Sequence, residues 1–169
     1  MPNYKRKRMN PADNEEFLGM LARCETSREL AFITALYYTG ARVSEVLALN
    51  YTDVYVSGDK VYFKIKRLKH SAKTRDISFF TNQLGFNTLL NECMMAEKEQ
   101  RLIFPFSRIT AWRIAKRVAS TYPHFFRYNR FTYIVEKYGL TMLKWFGGIT
   151  LDTANKYMLE KQLGEMVIE

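Results

Sequence analysis

Cysteine is scarce: Cys24 and Cys93 are the only two in 169 residues, and they form no C-x-x-C pair. A disulfide framework and a zinc ribbon are therefore excluded, and a reducing, cytoplasmic setting is expected. Long apolar runs are missing as well. Nothing approaches the roughly 18 consecutive apolar residues of a membrane-spanning helix, so no membrane partner is expected. The first ten residues, MPNYKRKRMN, have no apolar stretch behind their charges and do not read as a secretory signal. No Asp/Glu/His cluster at ligand spacing occurs, so no metal centre is expected. Acidic residues are absent from two whole segments, Lys60 to Arg75 and Arg101 to Val135.

What is present is ordinary in amount and unusual in sign. Apolar residues make up 47% and charged residues 25%, a globular balance in a chain of one domain's length. Lys and Arg number 26 against 17 acidic residues, for a net charge of +9. Lys5, Arg6, Lys7 and Arg8 supply four of these charges and read as a basic arm over residues 1–9. The acid-free segments hold Lys66, Arg67, Lys73, Arg75, Arg113, Lys116, Arg117 and Arg130. A solvated face usually mixes signs, so two unmixed segments point to surfaces kept positive for phosphate, with double-stranded DNA as the expected partner.

The periodicity predicts a mainly α-helical α+β domain over residues 10–169. Asn10-Pro11 opens a first helix. Thr26 to Glu29 reads as a capping box for a second, which Gly40 ends. The period then changes from 3.6 to 2. Val54–Val56, a Ser57-Gly58-Asp59 turn, Val61–Lys66 and Thr74–Phe80 predict a three-stranded antiparallel sheet, with Leu68–Lys73 as a basic connection. Helices are predicted over 86–95, over 108–118 behind a Ser107 cap, over 123–137, and over 141–146. In the 108–118 helix Trp112, Ala115 and Val118 are expected to face inward. Asp152 is expected to cap a last helix bearing Tyr157.

Along these elements lie Arg42, Lys69, His124, Arg127 and Tyr157. Their local patterns resemble those of the tyrosine recombinase, or phage integrase, family. Ala35-Leu-Tyr-Tyr-Thr-Gly-Ala-Arg42-Val-Ser-Glu45 is similar to the family's first box. Lys69-His-Ser-Ala-Lys73-Thr-Arg75 is similar to its β-hairpin turn, which bears a catalytic lysine. Leu102-Ile-Phe104-Pro105 and the later Pro123-His124-Phe-Phe-Arg127 resemble its Leu-Phe-Pro and H-x-x-R. Trp145 to Tyr157 resembles the segment carrying the nucleophile.

The resemblance implies strand cleavage with no cofactor. The tyrosine attacks the scissile phosphate and leaves a 3′-phosphotyrosyl link and a free 5′-hydroxyl. It implies a homo-tetramer on paired sites, a monomer or dimer in free solution, and a viral, plasmid or other mobile element acting at the nucleoid. The chemistry of the side chains agrees. Arg42 and Arg127 can clamp the non-bridging oxygens with paired hydrogen bonds. Lys69 can protonate the leaving 5′-oxygen. Tyr157 is the nucleophile, and His124 can accept or orient its proton. Glu45 is expected to brace the first-box arginine.

Two departures stand out. The position that is His or Trp in the family's third box is Gly148 here, and Tyr128 follows Arg127 where the family has His. Either Tyr128, Asn129 or Lys144 substitutes for the missing donor, or water does, or catalysis is slower. Only about ten residues, four of them basic, precede the first expected helix where the family usually has an N-terminal DNA-binding domain, so the chain is expected to be either a catalytic domain cut from a longer protein or a minimal recombinase with an arm in place of the clamp. The tail, residues 158–169, either packs on its own domain or is exchanged between subunits. Alternatives are a DNA-binding accessory protein of the same fold that has lost catalysis, and a type IB topoisomerase.

Overall fold

The computed structural model describes residues 14–67 and 74–157. The basic arm, the turn with Lys69 and Lys73, and the tail 158–169 lie outside the described residues.

Helix α1 spans Asn14–Ala22 and α2 spans Ser27–Thr39. The Thr26 hydroxyl accepts the Glu29 N–H at 3.1 Å, and the Glu29 carboxylate accepts the Glu25 N–H at 2.7 Å. These bonds satisfy two donors at the start of α2. Gly40 closes the helix in the left-handed conformation. Every residue from Ala31 to Gly40 is buried, so α2 is the central helix rather than an amphipathic one. Helix α3, Val43–Leu47, and a 3₁₀ turn, Tyr51–Asp53, lead to the sheet.

Strands β1 (Val54–Ser57), β2 (Lys60–Lys66) and β3 (Thr74–Phe80) form an antiparallel meander in the order β1-β2-β3. Tyr55 pairs with Tyr62, and Ile65 with Arg75. Val61, Phe63 and Ile65 alternate inward along β2 and are fully buried. Helix α4 covers Phe86–Lys98, three residues further than the sequence pattern predicts, and α5 covers Arg108–Ala119 behind the Ser107 cap.

Helix α6 runs His124–Gly147 and is broken at Gly139, whose φ of 84° and ψ of 173° are not helical. A final helical segment covers residues 151–157. Its first turn is capped by Thr150, whose hydroxyl accepts the Thr153 N–H at 3.3 Å, and not by Asp152. The core is rich in phenylalanine: Phe17, Phe32, Phe63, Phe86, Phe104 and Phe126 are essentially inaccessible. Each contributes about 1.5–3 kcal/mol by burial. A smaller apolar cluster joins Phe131, Ile134, Val135 and Leu143 to Ile149 and Ala154. No helix of the described residues is long and apolar enough to cross a membrane.

One contact ties α4 tightly to α2. A Cβ on Gly85 would lie 2.3 Å from the Thr34 hydroxyl oxygen, and Gly85 has φ +85°. Both the close approach and the backbone require glycine. Gly85→Ala is therefore expected to cost about 2 kcal/mol or more, read from the midpoint of urea unfolding.

Candidate active site

The last turn of α2 sets the site. Its carbonyls have no partners within the helix, and the negative end of the helix dipole attracts cations. Three arginines from elsewhere in the chain occupy them. Arg127 of α6 donates to the Gly40 carbonyl at 2.9 Å. Arg75 of β3 donates to the Thr39 carbonyl at 3.4 Å and also to the Phe146 carbonyl. Arg130 of α6 donates to the Tyr37 carbonyl at 2.9 Å.

Arg42 lies just beyond this turn, before α3. Its backbone N–H and its guanidinium both donate to the Glu45 carboxylate, each at 2.9 Å. Glu45 is buried, and the Arg42 side chain remains 39% exposed. The brace expected of Glu45 is thus present, and it leaves part of the Arg42 fork facing outward.

Arg127 is nine-tenths hidden or more, at 3% exposure, and stacks 4.0 Å from the Phe131 ring centroid. Tyr157 comes close enough to raise the pKa of its guanidinium, and both side chains pack on the Phe131 ring. Tyr157 is held from behind by Phe131 at 5.2 Å and Tyr128 at 6.1 Å between ring centroids. Nucleophile candidate and clamp candidate therefore meet, although 30 residues separate them in the chain.

The electrostatics of the cluster run one way. Burial lowers the pKa of Arg127, and the Arg42 charge adds to that, against Tyr157 and Glu45. Burial pushes the Arg75 pKa down to about 9, helped by the charges of Arg127, Arg42 and Arg67 and opposed by Glu45. Four guanidinium groups thus share one carboxylate. A buried cationic cluster with too few counter-charges is poised to gain from an incoming anion.

With this geometry in place, solved structures of other proteins can be compared. No family model matches the chain, and no curated protein matches it. Solved structures do match it. XerH site-specific recombinase bound to its difH substrate before cleavage superposes with a TM-score of 0.73 at 18% identity, over 94% of this chain and 52% of XerH. XerH in a post-cleavage complex with palindromic difH gives 0.73 at 19%, over 89% and 48%. XerA recombinase gives 0.68 at 16%, over 99% and 68%. The chain has the fold of a tyrosine recombinase catalytic domain. It spans about half the length of the XerH chains.

Within that recombinase fold the expected site residues fall into three groups. Arg42, Arg127 and Tyr157 come together. His124 is exposed at the first position of α6, one turn before Arg127 on the same helix. Lys69 and Lys73 lie outside the described residues.

Several expectations for the DNA-facing residues need correction. Arg130, expected on the DNA face, is buried and encloses itself among the rings of Tyr37, Tyr38 and Tyr133 at 5.0–5.6 Å. Arg75 is buried too and belongs to the arginine cluster. Trp112, expected inward, is 38% exposed and sits under the Lys116 ammonium at 4.9 Å. Arg117 is tied to Glu29 at 2.7 Å and also to Glu25, and Lys66 to Asp53 at 3.2 Å. Arg113 is exposed on α5 as expected.

The substitutes expected for the Gly148 donor differ in their surroundings. The Tyr128 ring is buried against Tyr157, Asn129 donates to the Phe125 carbonyl at 2.8 Å, and Lys144 is exposed. The groups that flank Gly148 are Arg75 and Arg67. A cavity of about 560 Å³ lies beside Arg130, lined in part by Tyr38, Lys60, Tyr133 and Lys137. None of Arg42, Arg67, Arg127 and Tyr157 lines it.

Proposed function

We propose that this chain cuts and rejoins DNA as a site-specific tyrosine recombinase. Tyr157 Oη attacks the scissile phosphorus, and the P–O bond to the 5′-oxygen breaks. The enzyme is left joined to the 3′-phosphate. Arg42 and Arg127 hold the non-bridging oxygens, where the transition state concentrates negative charge. His124 accepts or orients the phenol proton, and Lys69 gives a proton to the departing 5′-oxygen. Attack by the 5′-hydroxyl of a second strand reverses these steps. A tetramer on paired sites, the arm 1–9 as a DNA contact and an exchanged tail 158–169 belong to the same reading. So do a mobile genetic element as source and a cytoplasmic setting.

The observation that carries the reading is the convergence of Tyr157 and Arg127 on one ring, with Tyr157 5.2 Å and the Arg127 guanidinium 4.0 Å from the Phe131 centroid. A phenol packed for structure alone has no need of a crowded arginine. A phenol that must meet a phosphate needs a cation at that spot.

The test is a nicked suicide duplex pool incubated with the protein and EDTA, then quenched in detergent. Retarded, DNA-linked protein is expected, and digestion should place the nucleotide adduct on the Tyr157 peptide by mass spectrometry. DNA binding without any adduct would instead support the accessory-protein reading, which the bare Gly148 position favours. Relaxation of supercoils by single subunits, with no exchange between sites, would support the topoisomerase.

A further inference from the structure

We propose that Arg67 is a catalytic residue, its guanidinium reaching over Gly148 to contact a non-bridging oxygen of the scissile phosphate beside Arg42 and Arg127. The inference rests on the strand-transfer reading and adds a member to its site.

Three observations lead here. The first is direction. Side chains on β2 alternate, and Val61, Phe63 and Ile65 form its buried row. Arg67 is the next member of that row, one residue beyond the last paired position, Lys66 with Thr74. Its backbone is anchored by the sheet, and its side chain starts out toward the body of the domain. Lys66 points the other way, to Asp53.

The second is place. A Cβ on Gly148 would lie 3.7 Å from Arg67 Cδ and 3.8 Å from Arg67 Nε. The room that a side chain at position 148 would take is bordered by the Arg67 head group. Arg67 also lowers the Arg75 pKa together with Arg127 and Arg42, so its charge falls in the same cluster.

The third is availability. Arg75, the other neighbour of Gly148, is buried, and both of its terminal nitrogens are bonded to carbonyls. Arg67 is only partly buried and makes no hydrogen bond or ion pair among the described residues. Of the two, only Arg67 has its fork free for a ligand. A guanidinium there can give two parallel hydrogen bonds to a phosphate, where an imidazole gives one.

The experiment measures single-turnover adduct formation and DNA affinity side by side for Arg67→Ala, Arg67→Lys, and Arg67→Ala combined with Gly148→His. Arg67→Ala is expected to slow adduct formation by about 10²-fold while affinity stays within about threefold. Arg67→Lys should fall in between, because the charge remains and the fork is lost. Gly148→His in the alanine background should recover about tenfold, since it returns a donor to the same spot. Histidine is also among the residues that tolerate the left-handed backbone of position 148, at φ +58°. Equal adduct rates for wild type and Arg67→Ala overturn the proposal, as does a loss that merely follows affinity and vanishes at saturating protein. Either result leaves the strand-transfer reading standing. Absence of an adduct from the wild type overturns both.

Discussion

Tyr157→Phe protein forms no covalent DNA complex, and it still binds DNA. That outcome is the largest effect expected of any single substitution here. Loss of one transition-state donor lowers a rate by about 10²–10³-fold, whereas loss of the attacking atom removes the route altogether. The change is also clean. The phenylalanine ring keeps the contacts with Phe131 and Tyr128, and only the hydroxyl disappears. Thermal stability should therefore shift by no more than about 2 °C. A denaturing gel of the suicide-duplex reaction checks the first statement, and a melting curve with a DNA-binding isotherm checks the rest.

Arg127→Ala is expected to lower the adduct rate by about 10³-fold. The side chain does three things at once. It donates to the Gly40 carbonyl, lies against the Phe131 face, and shares that ring with Tyr157. Its removal takes away a phosphate clamp and the partner that positions the nucleophile. Stability responds less than so buried a position suggests. The lost hydrogen bond and ring contact are destabilising, but Arg75 is relieved of its strongest like-charge neighbour. The two effects oppose each other, and the net change in unfolding free energy should stay below about 2 kcal/mol. Arg127→Lys does not rescue the rate, because one ammonium cannot bridge carbonyl, ring and phosphate as a planar fork does. Single-turnover kinetics and urea unfolding on the same preparations separate these two effects.

The sheet was legible from sequence because period-2 alternation and a Ser57-Gly58-Asp59 turn act locally. Strands β2 and β3 end where the pattern predicts. The same holds for α2, whose Thr26 and Gly40 are local stop and start chemistry. Helix α6 was harder. Its residues 126–132 are buried on every face, so no amphipathic phase marks which charges are solvated. Arg130 therefore reads as a surface cation in the sequence, and in the structure it is sealed among tyrosines. Trp112 misleads in the opposite sense: its size suggests burial, but the indole lies flat on the surface with Tyr122 and Lys116.

The arginine cluster mixes both cases. Arg42 and Arg127 carry recognisable neighbours in sequence. Arg67 and Arg75 read only as members of a basic segment, because their approach to Gly148 depends on packing across some 75 residues. A local signal was nevertheless present. Both fall on the inward phase of their strands, with Ile65 before Arg67 and Ile77 after Arg75. A charge in an apolar register asks for a buried counterpart, and for Arg75 that counterpart is the carbonyl end of α2.

The break at Gly139 divides α6 into parts that answer to different cores. The first half carries Arg127 and packs on α2. The second half leads to the segment bearing Tyr157, which is secured by the small cluster of Leu143, Ile149 and Ala154 against Phe131, Ile134 and Val135. Undocking that segment gives up the small cluster and the Tyr157 contacts and spares the main core, so its opening free energy is a fraction of the global one. The arginine cluster can thus stay assembled while Tyr157 is withdrawn. In kinetic terms, that segment can open and close on a local equilibrium of its own, with no change in the rest of the domain.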